Sequence, residues 1–160
     1  MKKMIALVLV LVMAAAFLTA CGIFALFSRM KYIDRWSLMR NTDAESLSQH
    51  SLDVSAIAHA LAVIGNKRLG KSYDAGKIAL TGMYHDMPEI ITGDMPTPVK
   101  YYNTEIREAF GSIERAAQRS LLGTLPEDLR DAYRDYLIPD ETDESYRLVK
   151  AADKISALLK

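Results

Sequence analysis

Apolar residues in this chain recur mainly at the three- and four-residue spacing of amphipathic helices. After Gly22 no segment shows the alternation that predicts a half-buried strand. The pattern therefore predicts an all-α domain, a bundle of about six helices. The predicted helices begin near Ile23, at Ser46 or Ser48, after Asp74, at Asn103 or Thr104, at Pro126, and at Thr142 or Asp143.

Glycine and proline predict where several of these helices end. The first helix is expected to begin over residues 23–32 and to run toward Asp34-Arg35-Trp36, and the second to end at Gly65-Asn66. The third is expected to end at His85, because Pro88 follows closely and proline disfavours helix just before it. Residues 93–98 contain one glycine and two prolines, which predicts a loop there.

The first 21 residues form a separate unit. Lys2 and Lys3 make a basic start, an unbroken apolar stretch fills residues 4–17, and small residues precede Cys21. This layout predicts a signal peptide over residues 1–21 with a lipobox-like end, where Cys21 would be lipidated. The alternative is an uncleaved N-terminal anchor. The leader thus predicts a membrane-anchored envelope lipoprotein whose folded domain occupies residues 23–160.

Charge and cysteine content narrow the range of functions. Without the leader the chain has 18 basic and 20 acidic residues, and these charges are dispersed. No basic field is present to bind a nucleic-acid polymer, and contact with a membrane is expected only through the leader or its lipid. Cys21 is the single cysteine, which excludes an intrachain disulfide.

The adjacent pair His85-Asp86 is the first candidate for metal chemistry. Neighbouring side chains on a helix point about 100° apart, so both can reach one ion only where the helix ends. The pair meets this condition, because Met87-Pro88 follows. A chance doublet at a helix terminus is the alternative, and the pair gains weight only from other ligands of the same kind.

Two histidines on the second helix receive opposite interpretations. His50 is in line with Val54, Ile57 and Leu61, which places it on the buried stripe as either a core histidine or a metal ligand. His59 lies nine residues further on, about 180° around the helix, so it is expected to be structural or exposed.

Asp153 is a carboxylate among apolar residues and alanines on the last helix. Such a group is costly to bury unless it is paired or bound to a metal. The alternative is a surface acid paired with Lys150 or Arg147 on the same helix.

Glu89 and the pair Arg35-Trp36 complete the candidates. Glu89 comes three residues after Asp86, where it could exchange a proton with water or with a leaving oxygen. The guanidinium of Arg35 suits bidentate binding of phosphate, and Trp36 is the only tryptophan. Each of these residues is a weak signal alone.

Taken together, these residues resemble the bacterial HD-domain 5′-deoxynucleotidases from about Phe24 to Lys160. The strings around Arg35-Trp36 and from Gly93 to Lys100 are much more specific than the HD doublet. The matching strings are residues 28–31, 34–41, 48–52, 83–89, 92–101 and 149–153.

The resemblance implies a role for each matched residue. It implies one divalent metal ion (Mn, Co, Fe or Zn), a catalytic Glu89, and an Arg35 that orients the phosphate. Trp36 would pack against the sugar. The implied metal ligands are His50, His85, Asp86 and Asp153, and the implied substrate-binding residues are Arg35, Trp36, Asp94, Met95, Pro96 and Thr97.

The activity implied is metal-dependent hydrolysis of deoxyribonucleoside 5′-monophosphates to deoxynucleoside and phosphate, in a homodimer. Two alternatives stay open: another HD hydrolase acting on cyclic nucleotides or guanosine polyphosphates, and a non-catalytic envelope lipoprotein on the same scaffold. The chain also departs from the family. Gln49 replaces a common glutamate, the chain stops soon after Asp153 where the family continues, and the leader is foreign to an ordinarily cytoplasmic family.

Overall fold

The computed structural model describes residues 5, 21–36 and 43–159, and within them it contains helices but no strand. The predicted all-α class is therefore confirmed. The helices are α1 (Cys21–Phe27), a 3₁₀ helix (Ser28–Tyr32), α2 (Leu47–Arg68), α3 (Ala75–Tyr84), α4 (Glu89–Thr92), α5 (Thr97–Lys100), α6 (Thr104–Gly123), α7 (Glu127–Leu137) and α8 (Glu144–Leu159).

Six of the α-helices match the six predicted ones, with differences at their ends. The first changes to a 3₁₀ helix at Ser28 that ends at Tyr32, so one continuous helix running toward Trp36 was wrong. Pro126 precedes α7 instead of lying in its first turn. The predicted loop at 93–98 separates two single-turn helices, α4 and α5, which are too short to leave an apolar periodicity.

The predicted end of α2 at Gly65-Asn66 was also wrong. A side-chain carbon at Gly65 would lie 2.9 Å from the ring of Tyr73, so this glycine makes room for a close contact while the helix continues to Arg68. The turn that ends the helix contains Gly70, whose φ of 66° is the left-handed conformation that glycine adopts readily.

Two apolar clusters form the core. The first joins the N-terminal segment to the ends of α6 and α7, and its largest members include Ile23, Met30, Met87 and Leu121. The second lies where α2 packs between α3 and α8, and it consists of Val54, Ala58, Ala62, Ile78, Val149 and Ala152.

Small residues in the second cluster bring the three helices close together. Ala58, Ala62 and Ala152 are fully buried. A side-chain carbon at Gly82 would lie only 3.1 Å from the Cα of Ser55, which shows how closely α3 approaches α2. This close packing determines the distances between polar side chains at one end of the three helices.

The predicted signal peptide falls almost entirely outside the described residues. Cys21 begins α1, but its side chain is not among the described groups. In the part of the chain that the structure describes, no helix is both long enough and apolar enough to cross a membrane.

Candidate metal centre and substrate loop

Three helices bring the four predicted metal ligands to one point. His50 lies in the first turn of α2, His85-Asp86 directly follows α3, and Asp153 lies on α8. The Nε2 atom of His50 is 3.4 Å from Oδ2 of Asp86 and 3.1 Å from Oδ1 of Asp153. The Nε2 atom of His85 is 3.0 Å from the same Asp86 oxygen.

The protonation of His85 leaves a nitrogen lone pair directed at this point. Its Nδ1 lies 2.7 Å from the carbonyl oxygen of Gly82, which can only accept, so Nδ1 carries the proton and donates it. In the neutral ring Nε2 is therefore unprotonated. A backbone carbonyl that fixes the tautomer in this way is the usual support of a metal-binding histidine.

Both imidazole Nε2 atoms are buried and lack a hydrogen bond of acceptable geometry, although carboxylate oxygens lie nearby. The donor atoms of His50, His85 and Asp153 all lie within 4.8 Å of one another. Two buried ring nitrogens face two carboxylates and lack a well-formed hydrogen bond within the described residues. This arrangement fits a divalent cation that binds nitrogen and oxygen ligands.

The carboxylates are held in their charged form. Burial opposes ionisation of Asp86, but the neighbouring His85 and His50 outweigh it and hold the pKa of Asp86 well below its usual range. Burial also opposes ionisation of Asp153, but the close contact with His50 lowers the pKa of Asp153 nevertheless. For His50, burial favours the neutral ring, but Asp153 and Asp86 together raise its pKa.

Glu89 has the opposite environment. Burial, and then the negative charges of Asp86 and Asp94, raise the pKa of Glu89 to about 9. Its Oε2 is buried and has no hydrogen-bond partner among the residues that the structure describes. Glu89 lies beside His85 and Asp86 in a cavity of about 460 Å³. A carboxyl group in such a place can carry a proton near neutral pH.

Arg35 and Trp36 lie in a turn that follows the 3₁₀ helix. The Nη1 atom of Arg35 is 3.3 Å from Oδ2 of Asp86, and its Nε is 3.8 Å from Oε2 of Glu45. Trp36 has a φ of 61°, a strained conformation for a bulky residue. Its backbone N–H donates to Oδ2 of Asp94 at 3.0 Å, which holds the turn against the loop after α4.

The predicted substrate-binding residues line one small pocket next to this turn. Its walls are formed by Arg35, Trp36, Asp94, Met95, Pro96 and Thr97. The structure thus brings all six together. Arg35 connects this pocket to the predicted metal ligands, because its guanidinium donates to Asp86, which is one of them.

Two interpretations of single residues can be compared with the structure. Asp153 contacts His50, and no ion pair with Lys150 or Arg147 is present within the described chain. His59 is exposed, as predicted. Gln49 closes a capping box, because its Oε1 accepts from the backbone N–H of Ser46 at 2.9 Å and Ser46 caps the helix.

The sequence reasoning missed the residues that support the ligands. Gly82 binds His85 through its carbonyl, and the hydroxyl of Ser156 lies 3.4 Å from Nδ1 of His50. Both lie three residues from a ligand on the same helix, which is a signal that could have identified them.

Solved structures of HD-domain phosphohydrolases share this helical fold. A crystal structure of an HD-domain phosphohydrolase from Listeria innocua has the same fold, with a TM-score of 0.76 and 24% identity over 85% of this chain and 65% of that one. A cyanophage S-2L HD phosphohydrolase, bound to dA and one catalytic Zn²⁺ ion, superposes with a TM-score of 0.61 and 21% identity over 84% of this chain and 68% of that one.

Sequence comparison is more specific. Residues 22–160 match the family described as YfbR-like 5′-deoxynucleotidases. The 5′-deoxynucleotidase of Vibrio cholerae is 51% identical over 138 residues, 86% of this chain and 71% of that protein. The 5′-deoxynucleotidase YfbR of Escherichia coli is 49% identical over 140 residues, 86% of this chain and 69% of that protein. The chain belongs to the YfbR-like 5′-deoxynucleotidase family, which confirms the predicted family and enzyme class.

Proposed function

We propose that this chain hydrolyses deoxyribonucleoside 5′-monophosphates at a single divalent cation held by His50, His85, Asp86 and Asp153. The observation that carries the proposal is the pair of buried Nε2 atoms that face two carboxylates without a well-formed hydrogen bond among the described residues, in a chain about half identical to enzymes named 5′-deoxynucleotidases. Membership of that family favours this activity over the other HD hydrolases and over a non-catalytic scaffold.

The cation would polarise a phosphate oxygen and lower the pKa of a water molecule from about 16 toward about 7. Two histidines and two aspartates suit Mn²⁺, Co²⁺, Fe²⁺ or Zn²⁺. The cyanophage relative carries Zn²⁺, which supports zinc as the first ion to test.

Arg35 holds the phosphate in this mechanism. Its guanidinium faces Asp86 from the side of the small pocket, so a phosphate beside the cation lies within reach of its donors. The guanidinium also balances the negative charge of the transferred group.

Glu89 moves the proton. Its raised pKa means that the carboxyl group holds a proton near neutral pH before a cation binds. As the P–O5′ bond breaks, the leaving oxygen takes this proton, and the carboxylate then accepts one from the attacking water. A cation bound by the neighbouring ligands would lower the pKa of Glu89 and bring its carboxyl group into the range needed for both proton transfers.

Trp36 selects the sugar. If its ring covers the C2′ face, as the family resemblance implies, a ribose 2′-hydroxyl would be buried without a partner. This costs about 1–3 kcal/mol, which corresponds to a preference for deoxy substrates of roughly 10- to 100-fold.

Four features of the N-terminus and assembly stay predictions: the signal peptide over residues 1–21, lipidation of Cys21, attachment to the membrane through that leader, and a homodimer. Metabolic labelling with a palmitate analogue tests the lipidation, and a Cys21→Ser protein should lose both the label and the membrane fraction. Light scattering of the purified protein tests the dimer.

The decisive experiment measures phosphate release from paired deoxy- and ribonucleoside 5′-monophosphates in chelator-treated protein, with and without each divalent cation. Activity that returns with a cation and prefers the deoxy substrates supports the proposal. Equal rates on deoxy and ribo substrates, or release from cyclic nucleotides instead, would contradict it.

A further inference from the structure

The loop after α4, residues 93–100, is fastened to the rest of the protein at both of its ends. At its start Asp94 accepts the hydrogen bond from the backbone of Trp36. At its end Nζ of Lys100 donates to Oε1 of Glu114 on α6, at 2.6 Å. Residues 93–100 are called the substrate loop below, because they contain four of the six proposed substrate-binding residues.

The contact between Lys100 and Glu114 has the properties of a strong tether. Both side chains are about three-quarters buried, with 26% and 30% of their surfaces exposed. The ammonium also lies 4.9 Å from the centroid of the Phe110 ring, and Phe110 is itself buried in α6. A short, partly desolvated ion pair of this kind is stronger than an exposed one.

The substrate loop has little else to hold it. Gly93 has a φ of 73° and Pro96 directly precedes α5, so the backbone makes only the single turn of α5 between the two tethers. Val99 and Tyr101 are exposed. Within the described residues, no other side chain of the loop forms an ion pair or a hydrogen bond to another element.

We infer that the ion pair between Lys100 and Glu114 positions the substrate loop against Trp36, and so sets the affinity for the nucleotide without taking part in the chemistry. The inference rests on the proposed function only for the identity of the substrate. Lys100 and Glu114 are positioning residues in this account, because they act through Asp94 and Trp36.

Removing the ion pair should lower the fraction of molecules in which the substrate loop is held against Trp36. The apparent affinity for the nucleotide then falls by the same factor. We expect Glu114→Gln to raise KM for a deoxyribonucleoside monophosphate about tenfold, with kcat changed less than about twofold, and Lys100→Met to raise KM by a similar factor. The exchanged protein, Lys100→Glu with Glu114→Lys, should recover most of the lost affinity.

Glu105→Gln is the matched control. Glu105 lies on the same helix and is exposed, with no ion pair or hydrogen bond among the described residues. It should leave KM unchanged. Thermal unfolding of all variants separates a loosened loop from a loss of folded protein.

The single tryptophan gives a second measurement that needs no activity. Nε1 of Trp36 is buried, and its backbone is bonded to the loop, so quenching of its fluorescence by acrylamide reports the loop directly. Glu114→Gln should increase this quenching, and Glu105→Gln should not.

Three results would overturn the inference. An increase in KM for Lys100→Met but not for Glu114→Gln would mean that Lys100 binds the substrate itself. Unchanged quenching in both variants, or no recovery in the exchanged protein, would also contradict it. If the unmodified protein released no phosphate from any nucleotide, the proposed function would fail while the quenching experiment still tested the tether.

Discussion

Glu89→Gln should stabilise the metal-free protein, and the gain should grow with pH. The carboxyl of Glu89 has its pKa raised from 4.5 to about 9 in the folded protein, so between these values the folded state holds a proton that the unfolded chain has released. Stability of the unmodified protein therefore falls as pH rises from about 4.5 to about 9. Glutamine is neutral in both states and is free of this loss.

The size of the effect follows from the same values. Each pH unit of proton uptake costs about 1.4 kcal/mol, and pH 7 lies about 2.5 units above the unfolded pKa, which gives at most about 3.5 kcal/mol. Rearrangement of the site and entry of water reduce this figure. We expect the free energy of unfolding of Glu89→Gln to exceed that of the unmodified protein by about 1–3 kcal/mol more at pH 7.5 than at pH 5.

Urea unfolding of chelator-treated protein at several pH values measures this difference. His50, Asp86 and Asp153 titrate in both proteins, so their direct contributions largely cancel. Glu108→Gln makes the same chemical change on an exposed carboxylate and should show a constant difference across the range. A difference for Glu89→Gln that stays flat from pH 5 to pH 8 would refute the raised pKa, and with it the proton that the mechanism assigns to Glu89.

Three other changes test separate parts of the account. Asp86→Ala should lose both bound cation, measured by elemental analysis, and phosphate release, whereas Glu89→Ala should keep the cation and lose turnover; a metal-free Glu89→Ala would show that the two roles are wrongly divided. Trp36→Ala should narrow the ratio of kcat/KM between deoxy and ribo substrates, and an unchanged ratio would remove Trp36 from sugar selection. Removal of residues 1–20 should leave activity intact, because the described site is built from residues after Asp34, and a folded but inactive product would contradict this.

The sequence predicted the helices well where their apolar stripes are long. The stripes of α2, α6 and α8 repeat over several turns, so their existence follows from periodicity alone. The single turns of α4 and α5 could not be predicted in this way, since four residues contain too few positions to define a period. Gly65 was misleading because its role depends on Tyr73, which only the folded chain brings beside it.

The sequence predicted which residues form the site, but not the distances and contacts between them. Periodicity placed His50 on the buried face, and the end of α3 allowed His85 and Asp86 to share one point. The pairing of Asp153 with His50 instead of Lys150 could not be derived, because it depends on how α8 crosses α2. The tether from Lys100 to Glu114 was missed for the same reason, since the two residues are fourteen positions apart on different helices.

Gly82 shows how packing and chemistry depend on each other in this fold. A side-chain carbon at Gly82 would lie 3.1 Å from the Cα of Ser55 on α2, so the absence of a side chain allows α3 to pack closely against α2. This close packing brings His85 near His50. The carbonyl oxygen of Gly82 also accepts the hydrogen bond from Nδ1–H of His85, which leaves Nε2 unprotonated in the neutral ring. A larger residue there would move the carbonyl and the helix together, so the distance between the ligands and the tautomer of His85 would change at once. A glycine inside a helix looks unfavourable when propensity alone is considered. Here the glycine costs a little helical stability, but its small size allows Nε2 of His85 and Nε2 of His50 to face the same predicted metal site.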